Sequence, residues 1–245
     1  MILPMSGRSI KNKAPYGVNG RKQLKELTVF DIIGPNMIGP SSSHTAGALR
    51  IALLARKMVK GSIRKAEFVL YGSFARTYRG HGTDKALVAG ILGFGTEDYR
   101  IRDSFEYARK AGLEYRFITN TEKKDIHPNT VAITITDTEG QTTVVVGESI
   151  GGGAAVIREI NGVEIALSGE YNTILVKQRD KPGVLAHITR CLSDCQINIA
   201  FTKLYRQKKG EIAYTIIETD EEITGEVIAA IEASGNIISA TRIEL

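Results

Sequence analysis

The chain has 245 residues, of which 42% are hydrophobic and 24% charged, with a formal net charge of +5. This composition is typical of a globular protein of one large or two ordinary domains, and no apolar run reaches the roughly 20 residues that a membrane-spanning helix requires. The excess charge lies in residues 1–27, which hold six basic residues and one acidic residue, whereas the remaining chain has 26 of each. A neutral body argues against a nucleic-acid-binding face, and we expect residues 1–26 to form a flexible basic extension.

The chain contains only two cysteines, Cys191 and Cys195. Two thiols cannot by themselves complete a structural zinc site or hold an iron–sulfur cluster. Because the sequence has neither an apolar signal segment after Met1 nor a disulfide framework, it predicts a cytoplasmic protein. We expect no metal to be held by this chain alone, and we expect both thiols to be core or interface groups on one helix.

The segment Gly39–Gly47, which we call the serine turn, places three hydroxyls and an imidazole directly ahead of a predicted helix. Its initial Gly-Pro pair indicates a turn, and apolar spacing over Ala46–Val59 predicts a helix that ends near Lys60. One serine of Ser41–Ser43 is the expected N-cap, and the free N–H groups of the first turn favour a small anion. By itself, the pattern fits a plain serine-rich cap with a solvated histidine about equally well.

A second histidine, His81, stands between two glycines in the segment Gly80–Lys85. Glycines on both sides let the main chain approach a ligand closely. Thr83 or Asp84 is the expected cap of the helix that follows, and we favour capping over orientation of an imidazole as the role of Asp84. Taken alone, this segment fits a glycine-rich turn with an exposed histidine better than a functional site.

The other elements before residue 168 follow from apolar and β-branched patterns. A third histidine, His127, precedes Pro128, which favours an extended backbone at the histidine. The predicted helices are 86–93 and 104–111, and the predicted strands are 66–70, 113–119, 131–136, 142–146 and 155–165.

From residue 170 the order strand–helix–strand–strand–helix–strand predicts a ferredoxin-like fold. The predicted strands are 171–177, 198–204, 212–218 and 237–243, and the predicted helices start near Val184 and Val227. The turn Asp180–Gly183 joins the first strand to the first helix, with Pro182 in the first helical turn. This arrangement resembles an ACT domain, a family whose members bind small amino acids at that turn.

Four segments taken in order resemble the β chain of the iron–sulfur L-serine dehydratases: Asp31–Pro35, Pro40–Thr45, Gly80–Asp84 and His127–Thr130. The resemblance covers about residues 27–245 and implies an α+β protein, with a mixed α/β substrate-binding domain at 27–168 and an ACT domain at 170–245. It implies that L-serine is converted to pyruvate and ammonia. It also implies a partner α subunit that ligates a [4Fe-4S] cluster, which agrees with the presence of only two cysteines in this chain.

The resemblance also implies roles for individual residues. His44, His81 and His127 are the candidates for the base, for substrate contact and for holding the oxygen bound at the cluster, and the sequence leaves open which does which. We favour His44 as the base because it adjoins the predicted anion site. The expected substrate contacts are Ser41, Ser42, Ser43, Thr45, Asn129 and Thr130. The expected effector contacts of the ACT domain are Asp180, Pro182, Gly183 and Asn198, at a homotypic contact between two copies.

Two alternatives remain open from the sequence. The first domain also resembles the substrate-binding regulatory domain of some phosphoglycerate dehydrogenases, which would make the chain a regulatory amino-acid-binding module without a catalytic role. The three separate histidine segments argue against that function, since an effector site needs no proton-transfer groups. The second alternative is a zinc enzyme with a triad of the three histidines, although none of them has the short ligand spacing common in zinc sites.

Overall fold

The computed structural model describes residues 37–244, so the predicted extension 1–26 and the segment Asp31–Pro35 lie outside the described residues. The described chain forms two β-sheets, one before and one after residue 170. The predicted α+β class is therefore confirmed, while the domain limits 27–168 and 170–245 stay our proposal.

The first sheet has six strands in the order β2-β1-β3-β4-β5-β6. Its strands are β1 (Ile63–Tyr71), β2 (Glu114–Asn120), β3 (Thr130–Asp137), β4 (Thr142–Gly151), β5 (Ala154–Ile160) and β6 (Val163–Leu167). The β1–β2 pair is parallel and the other pairs are antiparallel. Alternate side chains of β1, those of Ala66, Phe68 and Leu70, are fully buried, as expected for a strand with one face in the core.

Among the described residues, four α-helices accompany this sheet: α1 (Gly47–Lys57), α2 (Gly72–Thr77), α3 (Thr83–Ile91) and α4 (Ser104–Lys110). The α1 helix packs across β3, β4 and β5, and α3 packs against α1. No helix within residues 37–244 is long and apolar enough to cross a membrane.

The register of the strands brings three chain segments to one edge of the sheet. Leu70, near the end of β1, pairs with Val131 at the start of β3, and Thr130 pairs with Glu148 near the end of β4. The start of α1 contacts β4 at the same edge. The serine turn and the His127 segment, which are far apart in sequence, are therefore neighbours in space.

Two predictions for the first domain are wrong in detail, and two elements of the structure were not predicted. The predicted strand 155–165 is two strands, because Asn161 and Gly162 both adopt positive φ and form a tight turn. The helix α2 was not predicted, and neither was a 3₁₀ turn at Tyr99–Asp103. Neither Thr83 nor Asp84 caps α3, because the N-cap is Gly82 in the left-handed region and has no side chain to bond.

The second sheet confirms the ferredoxin-like order of elements. Its elements are β7 (Asn172–Arg179), α5 (Val184–Asp194), β8 (Ile199–Arg206), β9 (Ile212–Thr219), α6 (Gly225–Glu232) and β10 (Ile237–Ile243). The strand order is β10-β7-β9-β8, antiparallel throughout. Pro182 lies just outside α5, because Gly183 is the N-cap of that helix.

The two faces of the second sheet pack against different partners. Ile174 and Ile217 belong to a core shared with α5 and α6, whereas Leu175 and Ile216 belong to the core of the first domain. Across the same contact, the Asn161 side-chain amide donates to the Tyr214 hydroxyl at 3.1 Å. The second sheet is thus covered by its own helices on one face and by the first domain on the other.

Candidate active site

The serine turn begins α1 with a capped and unusually wide first turn. Ser41 is the N-cap in extended conformation, and its Oγ accepts a hydrogen bond from the His44 main-chain N–H at 3.1 Å, so the prediction of a capping serine is confirmed. Ser42–Ala46 is a π-helical turn, in which the Gly47 N–H donates to the Ser42 carbonyl. Turns of this kind are rare and frequently occur at functional sites. The first N–H groups of the turn have no acceptor within the helix and can bind an anion.

The imidazole of His44 bonds to a hydroxyl on each side. Nδ1 lies 3.1 Å from Ser43 Oγ, and Nε2 lies 2.9 Å from Ser73 Oγ at the start of α2. The ring packs edge-on against Phe74, with 5.3 Å between ring centroids, and it lies 4.8 Å from the ring of His81.

Burial lowers the pKa of His44, and the positive charge that His81 can carry lowers it further. At neutral pH the ring is therefore neutral and has one nitrogen lone pair, as a general base requires. The structure thus places His44 and His81, two of the three predicted catalytic histidines, in direct contact.

Thr45 joins the serine turn to the His81 segment. Its side chain is buried and its hydroxyl donates to the His81 carbonyl at 3.0 Å. That hydroxyl is already used, so the geometry favours a positioning role for Thr45 over the substrate contact that we expected. His81 itself is exposed to solvent.

The His127 segment reaches the same place through its main chain. The Pro128 carbonyl accepts hydrogen bonds from the N–H groups of Ser73 at 2.6 Å and Phe74 at 3.3 Å. This approach needs Gly72, which has a φ of 52° and at which a Cβ atom would lie 2.6 Å from the Pro128 carbonyl oxygen.

Two residues that we expected to contact substrate form hydrogen bonds within the His127 segment, Asn129 through its main-chain N–H and Thr130 through its hydroxyl. The Asn129 N–H donates to His127 Nδ1 at 3.3 Å, and the buried Thr130 hydroxyl donates to the His127 carbonyl at 2.7 Å. Thr130 therefore fits a role in shaping this turn better than a contact with substrate.

Three buried polar atoms around this edge have no hydrogen-bond partner among the described residues. They are Asn129 Oδ1, Ser149 Oγ and Thr83 Oγ1. Ser149 and Asn129 are neighbours, because the Ser149 N–H donates a hydrogen bond to the Asn129 carbonyl at 2.9 Å. Leaving a buried polar atom unpaired costs about 1–3 kcal/mol, and such atoms in a native fold call for an explanation such as a missing ligand. These three atoms are available for hydrogen bonds to a ligand at this edge of the sheet.

Sequence reasoning assigned no role to Ser73 or Ser149. Ser73 carries one signal, a Gly-Ser pair that follows the predicted strand 66–70 after one intervening residue. Ser149 carries none, because its relation to the serine turn exists only in three dimensions. A Cβ atom on Gly47 would lie 2.0 Å from Ser149 Oγ, so Gly47 is what lets the end of β4 reach the start of α1.

The predicted effector residues of the second domain do not all lie together within one chain. Asp180 Oδ2 accepts hydrogen bonds from the Gly210 N–H at 2.9 Å and from Arg206 at 2.8 Å, and these two donors lower the pKa of Asp180. Asn198 precedes β8 at the opposite end of the sheet, where its side chain donates to Asp220. A ligand at the Asp180–Gly183 turn can therefore meet Asn198 only from a second copy.

The donor atoms of the described residues are not grouped as an iron–sulfur cluster or a metal triad would require. Within residues 37–244, no group of three or more His, Cys, Asp or Glu side chains is placed to hold a metal ion. Cys191 is half-buried on α5 and burial raises the pKa of its thiol, while Cys195 is exposed at the end of that helix and is not a core group. The described residues therefore give no support to a zinc triad.

Fold and site together define the class of protein: an α+β domain with a hydroxyl-and-histidine site, followed by a ferredoxin-like domain of ACT connectivity. Two family profiles match the chain in the same order, one described as "Serine dehydratase beta chain" at residues 28–116 and one as "ACT domain" at residues 172–236.

Curated relatives extend the match over most of the chain. The "L-serine dehydratase, beta chain" of Peptoniphilus asaccharolyticus is 41% identical over 222 residues, which is 91% of this chain and 100% of that protein. The "Probable L-serine dehydratase, beta chain" of Bacillus subtilis is 42% identical over 220 residues, which is 90% of this chain and 99% of that protein. The chain therefore belongs to the serine dehydratase β-chain family.

A more distant similarity bears on the alternative that the chain is a regulatory amino-acid-binding module. The D-3-phosphoglycerate dehydrogenase of Bacillus subtilis is 23% identical over 201 residues, which is 80% of this chain and 37% of that protein.

Proposed function

We propose that this chain is the β subunit of an iron–sulfur L-serine dehydratase, a cytoplasmic enzyme that converts L-serine to pyruvate and ammonia. The observation that carries the proposal is His44: a neutral imidazole, bonded to hydroxyls and beside a helix start suited to a carboxylate, in a chain of this family. Because its own donor atoms do not fit a cluster, the chain needs an α subunit that ligates the [4Fe-4S] cluster. That cluster would supply Lewis-acid activation of the β-hydroxyl, which is otherwise a poor leaving group.

The residues of this chain would bind L-serine and remove its α-proton. The serine carboxylate would be held by the free N–H groups of the first turn and the hydroxyls of Ser41, Ser42 and Ser43. His44 would accept the α-proton, and loss of the hydroxyl would give an enamine that becomes pyruvate and ammonia. The Asn129 side-chain oxygen would accept a hydrogen bond from the substrate and so gain the partner it lacks.

The test is reconstitution of the assembled enzyme. The chain is co-expressed with an α subunit of the same family, purified without oxygen, and assayed for pyruvate formed from L-serine. We expect turnover with both subunits present, and a loss of about 10²–10⁴-fold in the His44→Ala enzyme. A complex that contains a cluster but makes no pyruvate would refute the proposal. A complex in which His44→Ala keeps full turnover would favour the regulatory module instead.

For the second domain we propose a small amino acid, L-serine in the first instance, bound at Asp180–Gly183 between two copies of the domain. The separation of Asn198 from Asp180 within one chain supports a shared site, since the second contact must come from another copy. Sedimentation of the full chain with and without L-serine tests this. We expect serine to favour dimers of the wild type and to do so less in Asn198→Ala, whereas an unchanged oligomeric state would contradict it.

A further inference from the structure

Ser73 is held in place by its main chain, which leaves its hydroxyl available for His44. Its N–H donates to the Pro128 carbonyl at 2.6 Å, and its carbonyl accepts from the Thr77 hydroxyl at 2.8 Å. Neither bond involves the Ser73 side chain, whose Oγ lies 2.9 Å from His44 Nε2. The main chain that carries this hydroxyl is thus held near the imidazole by contacts that do not depend on the hydroxyl itself.

The two nitrogens of His44 face different surroundings. Nδ1 faces Ser43, whose Oγ lies 3.1 Å away and 3.4 Å from Ser41 Oγ, within the group of hydroxyls proposed to bind the substrate carboxylate. Nε2 faces Ser73, which belongs to α2 and not to the serine turn. A neutral imidazole has one N–H and one lone pair, and its hydrogen-bond partners decide which nitrogen carries which.

We propose that Ser73 is a positioning residue: its hydroxyl accepts the hydrogen bond from Nε2–H of His44 and holds the ring in the tautomer with its lone pair at Nδ1. This inference rests on the proposed function, because it assigns the atom that receives the α-proton. When the carboxylate binds, the Ser43 hydroxyl turns to donate to it, and the Nδ1 lone pair becomes free to face the substrate.

The proton transfer balances at that atom. The Cα–H bond breaks and its electron pair remains with the substrate to form the C=C bond, while a new N–H bond forms at Nδ1. The C–O bond breaks with its electron pair on the oxygen, which leaves as hydroxide. The resulting imidazolium has two N–H groups, one of which stays bonded to Ser73. A ring that started in the opposite tautomer would present an N–H to the substrate and could not act as the base.

The tautomer can be measured directly in the full chain without the α subunit. The chain has four histidines, so ¹⁵N labelling of histidine gives few signals, and the His44 signals are identified by their absence in His44→Gln. Couplings from the ring C–H protons then show which nitrogen of His44 carries the proton. In the wild type at neutral pH we expect Nε2 to be protonated and Nδ1 to carry the lone pair.

Three variants separate the contributions of the two hydroxyl partners of the ring. Ser73→Ala keeps the main-chain bonds and should leave the chain folded, but the tautomers of His44 should then mix, while Ser73→Thr should restore the single tautomer. Ser43→Ala is the matched control, and we expect it to keep the Nε2–H tautomer. An Nδ1–H ring in the wild type, an unchanged ring in Ser73→Ala, or a switch caused by Ser43→Ala instead would each overturn the proposal.

The assembled enzyme gives a second readout. We expect Ser73→Ala to lower kcat by at least about 10-fold but by less than the roughly 10²–10⁴-fold expected for loss of the base, with KM near that of the wild type. A mixed tautomer with undiminished kcat would overturn Nδ1 as the acceptor of the proton. If the wild-type complex does not dehydrate serine, the proposed function fails, yet the tautomer measurement still decides the role of Ser73 at the ring.

Discussion

The imidazole of His44 has hydroxyl and imidazole neighbours where many catalytic histidines have a carboxylate. A carboxylate beside the ring would raise the pKa of a histidine, whereas burial and the nearby His81 lower it here. The neutral imidazole of His44, which can accept a proton, is therefore the populated form at neutral pH. The hydroxyls of Ser43 and Ser73 orient the ring without favouring its charged form as strongly as a carboxylate would.

A pH titration of the four histidines by NMR tests this environment. We expect His44 to titrate below the ordinary pKa of a histidine, and His81→Gln to raise its pKa only part of the way back, because burial is the larger cause. The unfolded chain takes up this proton at a higher pH than the folded chain does, so folding stability should fall as the pH drops below the ordinary value. A His44 pKa above the ordinary value would contradict the geometry.

Binding and chemistry should separate between neighbours in the serine turn. Within the described residues, the Ser42 hydroxyl makes no side-chain hydrogen bond, so its removal should leave the fold intact. In the assembled enzyme, Ser42→Ala should mainly raise KM, by the equivalent of roughly 1–2 kcal/mol, and His44→Ala should lower kcat. Assays of His81→Ala and His127→Ala alongside would reveal a wrong choice of histidine: near-normal kcat in His44→Ala would pass the role of base to whichever of them loses turnover.

At the scale of elements, the site depends on the contact between the start of α2 and the His127 segment. Gly72 has a positive φ, and a Cβ atom added to it would collide with main-chain atoms of Pro128. Gly61 offers a matched control, since it has a φ of 83° but nothing within 4 Å of an added Cβ.

Alanine substitutions at these two glycines should differ in cost. Gly61→Ala should lose about 1–2 kcal/mol of unfolding free energy through backbone strain alone. Gly72→Ala should lose roughly 1–3 kcal/mol more, because the added methyl must push Pro128 away. Urea unfolding of both variants measures the difference, and equal losses would mean that the contact with Pro128 adds nothing.

At the scale of the whole molecule, successive residues of one strand of the second sheet pack into two different hydrophobic cores. Ile216 is 1% exposed in the core of the first domain, and its neighbour Ile217 is fully buried beneath the helices α5 and α6. This follows from the two-residue period of a strand, which points successive side chains to opposite faces.

The pair Ile216→Ala and Ile217→Ala tests the coupling between domains. Each should cost about 2–5 kcal/mol, as large-to-small changes in a packed core do. Calorimetry should show a single unfolding transition for Ile217→Ala at a lower temperature, and two separated transitions for Ile216→Ala, because only the latter weakens the contact between the domains. A single transition in both variants would show that this residue does not set the coupling.

The full chain without a partner should hold no cluster. One of its two thiols lies on α5 and the other just after the end of that helix, and no group of three metal-ligating side chains is assembled among the described residues. Anaerobic reconstitution with iron and sulfide should therefore give neither cluster absorbance nor pyruvate from L-serine. Stable incorporation of a cluster into the lone chain would contradict the assignment of its ligands to the α subunit.

Local sequence patterns determined much of this protein. The capping serine before α1, the strand spacing of β1 and β3, and the whole order of elements after residue 170 follow from turn residues and from periods of two and 3.6, which act over a few neighbouring positions. Each segment that carries the family resemblance is a short continuous stretch of sequence, so the three histidines could be identified from the sequence alone.

Only the tertiary structure decided which of those groups meet. Ser73 reaches His44, and Ser149 reaches the start of α1, because the register of β1, β3 and β4 brings their ends to one edge. The Thr45 hydroxyl donates to the main-chain carbonyl of His81, and Asn198 lies at the far end of its sheet from Asp180. Contacts of this kind join residues tens of positions apart through strand pairing and close packing, and no local pattern in the chain encodes them.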